Sequence, residues 1–395
     1  MKSSYLKILA IAGCIVLVLW AIAPRNGSTS PSEGKLFTPQ EKIEFFTGHP
    51  EPLLMQKNFH VYTDKDGKEY FASINRSRDA IEVQPLNGEP YFTIRPDSFY
   101  TPDSTKQALN LLFCHKIVSW DSIFVLDKSG LNIYMCNRNG NISSVWNVTQ
   151  TTCDNGPFML KSYSFSPLQV VNNSLYASYM PYPPSGLQSD IFTCNTIAKI
   201  DLPKGGGYTS VTSIFGPYSS TYKNPRICYG KIGYTPSFTS IQNQADRSFL
   251  LSFPKDHRMY RVNESKTVRA ISGKSDKISR FRPYDGNLND IIGTSKYTVE
   301  EPRYWMVTYD PYREQYYRIV LHRQEYLQAG QIKVNKQEDR TFSVIVVDSK
   351  FNVLRERFFE ANKYQATISF ITKEGLFLQS LETTDNTLIF EGFEL

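Results

Sequence analysis

The sequence predicts an all-β fold, a β-propeller that follows an N-terminal membrane-anchor helix. Three observations carry this. Aromatic residues are abundant, with 25 Tyr, 25 Phe and 4 Trp, and 22 Gly and 22 Pro are spread along the chain, a composition that suits short strands joined by tight turns. Paired apolar runs about short polar turns recur every 45 to 60 residues, a spacing typical of repeated antiparallel blades. Long amphipathic helical patterns are absent, so the strands must bury one another.

From the N-terminus, Ile8 to Ala23 is an uncharged run preceded by Lys2 and Lys7 and followed by Arg25. As a helix it would cover about 24 Å, and flanking basic side chains can snorkel to span a core of about 30 Å. The basic N-terminal flank favours an N-in, C-out orientation. Residues 8–23 are therefore expected to meet the membrane and residues 25–395 to lie outside the cytoplasm, in the periplasm or at the cell surface. Two other readings stay open. Ala21-Ile22-Ala23 has the small-x-small form of a signal-peptidase site, although Pro24 follows it. Ile11 to Cys14 (IAGC) resembles a bacterial lipobox with Cys14 as the acylated residue, although nine apolar residues follow it. Residues 1–24 are read as the signal or anchor segment, 25–37 as a flexible Ser/Gly/Pro linker and 38–395 as the propeller. Thr38 as N-cap, Pro39 at N1 and Glu41 at N3 predict a short helix at the start of the folded part.

Within the propeller, Ser122 to Val148 holds three apolar runs separated by DKSG and NRNG, a strand-turn-strand-turn-strand signal. Hairpins of the same grammar begin at Tyr70, Ser174, Ser248, Arg303, Thr341 and Ile368, and TLIFEGFEL at the C-terminus reads as the strand that closes the ring. A lone hairpin cannot bury its face, whereas radially stacked sheets of four strands can. The expected count is six blades, with seven the other count the C-terminal hairpins allow.

Several classes of function find no support. Without Lys2 and Lys7 the chain carries 42 basic and 38 acidic residues, a balance of +4 that is too small to argue for nucleic acid. The five cysteines beyond Cys14 form no CxxC, and burial of the thiols is the simpler reading. The five histidines, His49, His60, His115, His257 and His322, match no local catalytic or metal motif, so no metal or cofactor is assigned. Thr63 to Tyr70 (TDKDGKEY) has the flavour of a calcium loop but lacks its remaining ligands, and reads as an Asp-Gly turn. Lys204 to Tyr208 (KGGGY) reads as a loose connection between strands.

The segments SIFVLDKSG, YDPYREQYYRI, SVIVVDSKFNVLRERFF and KEGLFLQ resemble those of a Bacteroidetes family, domain of unknown function 4221. The resemblance spans about Phe59 to Leu395. It implies a propeller-like envelope protein, usually a lipoprotein, and supplies no catalytic residues.

Candidate binding residues come from strand direction, because alternate turns of a meander share one end of the sheet. If the first run of each hairpin is the same strand in every blade, the following turns gather Tyr182, Asp256, His257, Asp310, Tyr312 and Arg313 on one rim. Aromatic and Arg side chains on a rigid rim suit recognition, although turn chemistry alone also explains the aspartates. The favoured function is a membrane-tethered module that binds or scaffolds a glycan, peptide or envelope protein. The alternative is a propeller hydrolase or lyase acting on a sugar-derived substrate with channel carboxylates or calcium. A solute-sensing ectodomain is a third and weaker reading.

Overall fold

The computed structural model describes residues 41–46, 58–75, 78–86, 90–99, 112–149, 158–181, 194–223, 236–241, 247–266, 268–287, 290–327, 334–336, 339–382 and 387–395. The expected anchor at 8–23, Cys14 and Tyr182 lie outside them. Among the described residues no helix is long and apolar enough to cross a membrane.

The first described element corrects a local expectation. Residues 41–46 are not helical but form β1 (Glu41–Phe46), paired antiparallel along its whole length with the last strand of the chain. The capping residues favour a helix locally, yet six ladder pairs on an otherwise open sheet edge outweigh one marginal turn.

The remaining strands form meanders in chain order. β2 (Phe59–Thr63), β3 (Glu69–Asn75), β4 (Ala80–Pro85) and β5 (Phe92–Ile94) make the first. β6 (Leu112–Ser119), β7 (Ser122–Asp127), β8 (Asn132–Cys136) and β9 (Ile142–Thr149) make the second. In the third, β10 (Phe158–Lys161) and β11 (Gln169–Val171) are two pieces of one interrupted strand, since both pair with β12 (Ser174–Pro181), followed by β13 (Asn195–Asp201) and β14 (Gly207–Pro217). The fourth comprises β15 (Ser237–Ser240), β16 (Phe249–Ser252), β17 (Arg258–Val262) and β18 (Val268–Ser272). β19 (Arg303–Asp310), β20 (Gln315–Leu321), β21 (Phe342–Asp348) and β22 (Val353–Phe359) follow. The last comprises β23 (Tyr364–Thr372), β24 (Gly375–Ser380) and β25 (Thr387–Phe393), with β1 as its fourth strand.

The second and third meanders fuse into one nine-stranded sheet because the start of β14 runs parallel to the end of β9, from Gly207 opposite Trp146 to Ser210 opposite Thr149. The glycine run permits this approach. Gly206 has φ +85°, and a Cβ there would lie 2.6 Å from the Val145 carbonyl oxygen, so only glycine fits.

Each sheet packs on the next through its own apolar cluster. Tyr176, Phe215, Phe238 and Phe249 join the third and fourth meanders, and Leu250, Met259, Val307 and Ile345 join the fourth and fifth. Phe359 meets Phe393 with ring centroids 5.2 Å apart, and Phe59, Phe71, Phe370 and Phe390 join the last sheet back to the first. The first strands of the meanders lie side by side, with β2 beside both β6 and β23. The result is an all-β, propeller-like ring, and Cys114, Cys136 and Cys194 are buried within it.

First strands have one edge without a strand partner, and side chains of the neighbouring meander satisfy parts of it. Asp79 Oδ1 accepts from the Leu112 N–H (2.9 Å), Asn58 Nδ2 donates to the Phe113 carbonyl (2.7 Å), and the Ile117 N–H donates to His60 Nε2 (3.1 Å). On β19, Ser237 Oγ bonds both the N–H (2.9 Å) and the carbonyl (3.3 Å) of Val307.

Two buried arginines fix the connections between β15–β18 and β19–β22. Arg318 on β20 is 0 % exposed, lies 3.4 Å over the Tyr304 ring, and donates to the carbonyls of Asp256, His257 and Gly273 at 2.7 Å each. Arg340 donates to the carbonyls of Val299 and Glu301 at the end of α1 (Ile291–Glu300), the one α-helix among the described residues. Asp290 caps the start of α1 by accepting from the Gly293 N–H at 3.0 Å.

Replacement of Arg318 leaves three buried carbonyls without a donor. Arg318→Met is expected to cost roughly 3 kcal/mol, read as a lowered midpoint in urea unfolding with an unchanged slope. The histidines set the acid limit. Burial, with Lys116 nearby, depresses His60 and takes His115 to about 3, and burial near Lys277 and Arg340 takes His322 to about 4. The unfolded chain, with ordinary imidazoles near 6.5, binds more protons below that pH, so stability is full above about pH 6.5 and declines as pH falls through 6 and 5. Melting temperatures measured down to about pH 4 are expected to follow that decline, and His322→Phe to flatten it.

Candidate functional site

The turns that follow first strands share one end of the molecule, and a cleft among the described residues lies there. A cleft of about 430 Å³ opens between the β2–β3 hairpin and the β6–β7 turn. The hairpin is the predicted Asp-Gly turn: Asp64 Oδ1 accepts from the N–H groups of Asp66 and Lys68 (both 2.9 Å), Oδ2 accepts from the Tyr70 hydroxyl (3.0 Å), and Gly67 has φ +77°. These bonds outweigh slight burial and hold the Asp64 carboxyl below its ordinary pKa.

The floor of the cleft is aromatic. Trp120 stands edge-on to Tyr62 and Tyr70, each with ring centroids 4.9 Å away, and 5.6 Å from Phe92. Arg138, in the β8–β9 turn, donates its backbone N–H to the Trp120 carbonyl (2.6 Å) and lays its guanidinium 4.1 Å from the Phe92 centroid and 5.2 Å from that of Trp120. Among the described residues this guanidinium has no carboxylate partner. Asp64, Asp66 and Asp121 face Lys65, Lys68 and Arg138 in the lining, three charges of each sign. Such a cleft offers ring faces together with balanced donors and acceptors. A second cleft of about 510 Å³, lined by Lys42, Glu69, Leu86, Lys373 and Phe377, lies on the other side of the same hairpin.

The predicted rim residues divide between two ends. Asp310, Tyr312 and Arg313 follow β19, the first strand of its meander, and lie at the end of the Trp120 cleft. Asp256 and His257 lie between β16 and β17, the second and third strands, and therefore at the opposite end. Both groups are engaged in internal bonds. Asp310, 0 % exposed, accepts from the N–H groups of Tyr312 (2.9 Å) and Arg313 (3.1 Å) and from the Tyr317 hydroxyl (2.8 Å). The Tyr312 hydroxyl donates to Glu69 (2.6 Å), and Arg313 donates to the Lys373 carbonyl (3.1 Å), which ties three sheets together. Burial and the Glu69 bond push the Tyr312 phenol up to about 12. Burial opposes ionisation of Asp256, but bonds from Ser219, Tyr260 and Arg258 outweigh it and lower its pKa. His257 Nδ1 lies 2.8 Å from the Tyr304 hydroxyl, and the imidazole stacks on Phe281 at 4.8 Å.

Sequence reasoning missed Trp120 and Arg138. The signal was there in WDS after β6 and NRNG after β8, but nothing in the spacing shows that two different turns converge. It also missed a row of rings that links the second, third and fifth meanders. Residues 162–168 leave the interrupted first strand between β10 and β11, and Tyr163 and Phe165 stack at 4.9 Å. Tyr163 lies 6.2 Å from Phe113 on β6, and Phe165 lies 5.0 Å from Trp305 on β19. Among the described residues no group of three or more His, Cys, Asp or Glu side chains is placed to hold a metal ion.

The family profile described as a domain of unknown function, DUF4221, matches residues 112–357. The crystal structure of a DUF4221 family member from Bacteroides vulgatus is similar over 90% of this chain and 97% of that one, at 20% identity and a TM-score of 0.73. Virginiamycin B lyase from Staphylococcus aureus (11% identity, 90% of this chain, 99% of that chain, TM-score 0.38) and BamB from Moraxella catarrhalis (12% identity, 86% and 83%, TM-score 0.37) are too distant to carry a functional argument. No curated protein sequence matches the chain. The profile match, which takes in the strands from β6 to β22, shows that the chain belongs to the DUF4221 family.

Proposed function

We propose that this chain is a six-bladed propeller held at the outer side of a membrane, where it recognises a glycan, peptide or envelope protein through the Trp120 cleft. The count of six treats the nine-stranded sheet as two blades fused by the β9–β14 pairing and β1 as the outer strand of the last blade. Support for the tether is the uncharged run from Ile8 to Ala23 with its basic flanks, followed by a linker that leads to β1.

The observation that carries the recognition reading is the cleft itself. Trp120 is fixed by three neighbouring rings, and Arg138 is fixed by its own N–H bond, so neither loses much freedom when a ligand arrives. Charged groups of both signs around ring faces suit a neutral, hydroxyl-rich or amide-rich ligand, which offers donors and acceptors together. The internal bonds of Tyr312, Arg313 and Asp310 make this end of the ring stiff, and their proposed part in binding is to hold the neighbouring hairpin in place. Asp256 and His257 are proposed to serve contacts at the other end.

Two measurements test this. Glycan-array and envelope pull-down hits obtained with the wild-type protein are expected to weaken about tenfold or more in Trp120→Ala, with melting little changed; equal binding by the variant would sink the cleft as the site. Mass spectrometry of the mature protein is expected to find intact Met1, whereas a diacylglyceryl group on Cys14 or an N-terminus after Ala23 would replace the anchor with a lipid or a cleaved signal.

A further inference from the structure

Alternate side chains of β2 serve two different neighbours, as the pleat of a strand dictates. Phe59 and Val61 pack into the cluster that holds Phe370 and Phe390 of the last sheet. Asn58, His60 and Tyr62 meet the second meander instead, at three successive points along the chain. Asn58 Nδ2 donates to the Phe113 carbonyl (2.7 Å), His60 Nε2 accepts from the Ile117 N–H (3.1 Å), and the Tyr62 ring lies 4.9 Å from that of Trp120. The seam between β2 and β6 therefore runs into the Trp120 cleft, and its middle bond depends on a proton.

His60 lies two residues before Tyr62, and Ile117 lies three before Trp120. Trp120 is held from its own meander by the Arg138 N–H, whereas Tyr62, Tyr70 and Phe92, which pack against it, all belong to the first meander. How closely the two walls of the cleft approach is thus set by how β2 sits on β6. The bond that sets it exists only while Nε2 carries no proton. A proton taken up there replaces the acceptor with a donor aimed at the Ile117 N–H and leaves that N–H unpaired in the seam.

The surroundings of His60 hold no acid that would favour the charged ring. On β6 the titratable groups acting on it are Lys116 and His115, the latter with its ring 4.7 Å away. On β3, Ala72 stands opposite His60 in the register, and Glu69 is committed to the Tyr312 hydroxyl and the Lys373 N–H. On β23, which also contacts β2, there is no Asp, Glu, His, Lys or Arg. Burial, then Lys116 and His115, hold the His60 pKa well below the ordinary 6.5, so the bond is intact at neutral pH and is lost only well below that value. We propose that His60 is a positioning residue of the Trp120 cleft, and that its protonation in acid detaches β2 from β6 and parts Tyr62 from Trp120. This adds acid control to the site proposed above, and because it concerns the walls alone it stands or falls apart from that site's ligand.

The test is acrylamide quenching of Trp120 fluorescence in the full chain, taken as the difference between each protein and the same protein carrying Trp120→Phe. It is followed from about pH 7.5 to about pH 4.5, with far-UV circular dichroism to mark where the fold persists. Wild-type quenching is expected to stay level near neutral pH and to rise about twofold in acid before the fold is lost. His60→Phe, which lacks the acceptor, is expected to show the raised value already at about pH 7.5. His60→Gln, whose Oε1 lies as many bonds from Cα as Nε2 and does not titrate, is expected to hold the low value throughout. His115→Phe leaves the bond in place and is expected to keep the acid response. Wild-type quenching in folded His60→Phe, an acid response that persists in His60→Gln, or one that vanishes in His115→Phe would each overturn the proposal.

Discussion

The unpaired edge of each first strand is the constraint around which the rest is arranged. A ladder satisfies one side of such a strand and leaves alternate N–H and carbonyl groups on the other side facing the axis, where unsatisfied backbone is costly. This chain meets the constraint with side chains borrowed from at or beside the neighbouring first strand: Asn58 and His60 for β6, and Ser237 for β19. Each such bond also fixes one sheet against the next. The seams between sheets are thus held by hydrogen bonds at the axis and by aromatic clusters further out, such as Phe71 against Phe370 and Phe390.

This division explains which parts of the fold were legible. Hairpins were readable because an Asp- or Asn-led turn between two apolar runs states its own geometry, as Asp127 does by accepting from Gly130 and Asn132. The C-terminal strand was readable from its apolar run, and five of its seven residues, Thr387–Phe393, are buried. Position within a meander was not readable. β15 has only four residues and β11 three, too few for a pattern, so the hairpin at Phe249–Val262 looked equivalent to the one at Arg303–Leu321. One joins second to third strands and the other first to second, which is why the expected rim splits between two ends. β1 was misread because its partner lies more than 300 residues away, and local capping signals cannot report a sheet edge waiting at the far end of the chain.

The candidate site was legible in its materials only. The turn TDKDGKEY was correctly an Asp-Gly turn, and its surplus of charge was visible. That Trp120 and Arg138 would pack against Tyr62 and Phe92 depends on the angle between two neighbouring sheets, which residue spacing does not encode. The rim residues show the opposite error. Tyr312, 43 % exposed, looks like a recognition residue by type, yet its hydroxyl is taken by Glu69 and Thr63. Residue type locates polar chemistry; the bonds already made decide whether any of it is left for a ligand.

The same reasoning separates the turn end from the seam between β2 and β6 by their electrostatics. At the turn end, charges of both signs are wet, so each is screened and none imposes a sign on what binds. At the seam between β2 and β6 the edge constraint itself decides a charge state. His60 can accept from the Ile117 N–H only while Nε2 is unprotonated, so the bond that holds the seam keeps this imidazole neutral. His115, whose ring lies 4.7 Å away and is enclosed, is kept neutral by the same surroundings. A seam closed by capping a strand edge with an imidazole therefore holds only while that imidazole stays neutral.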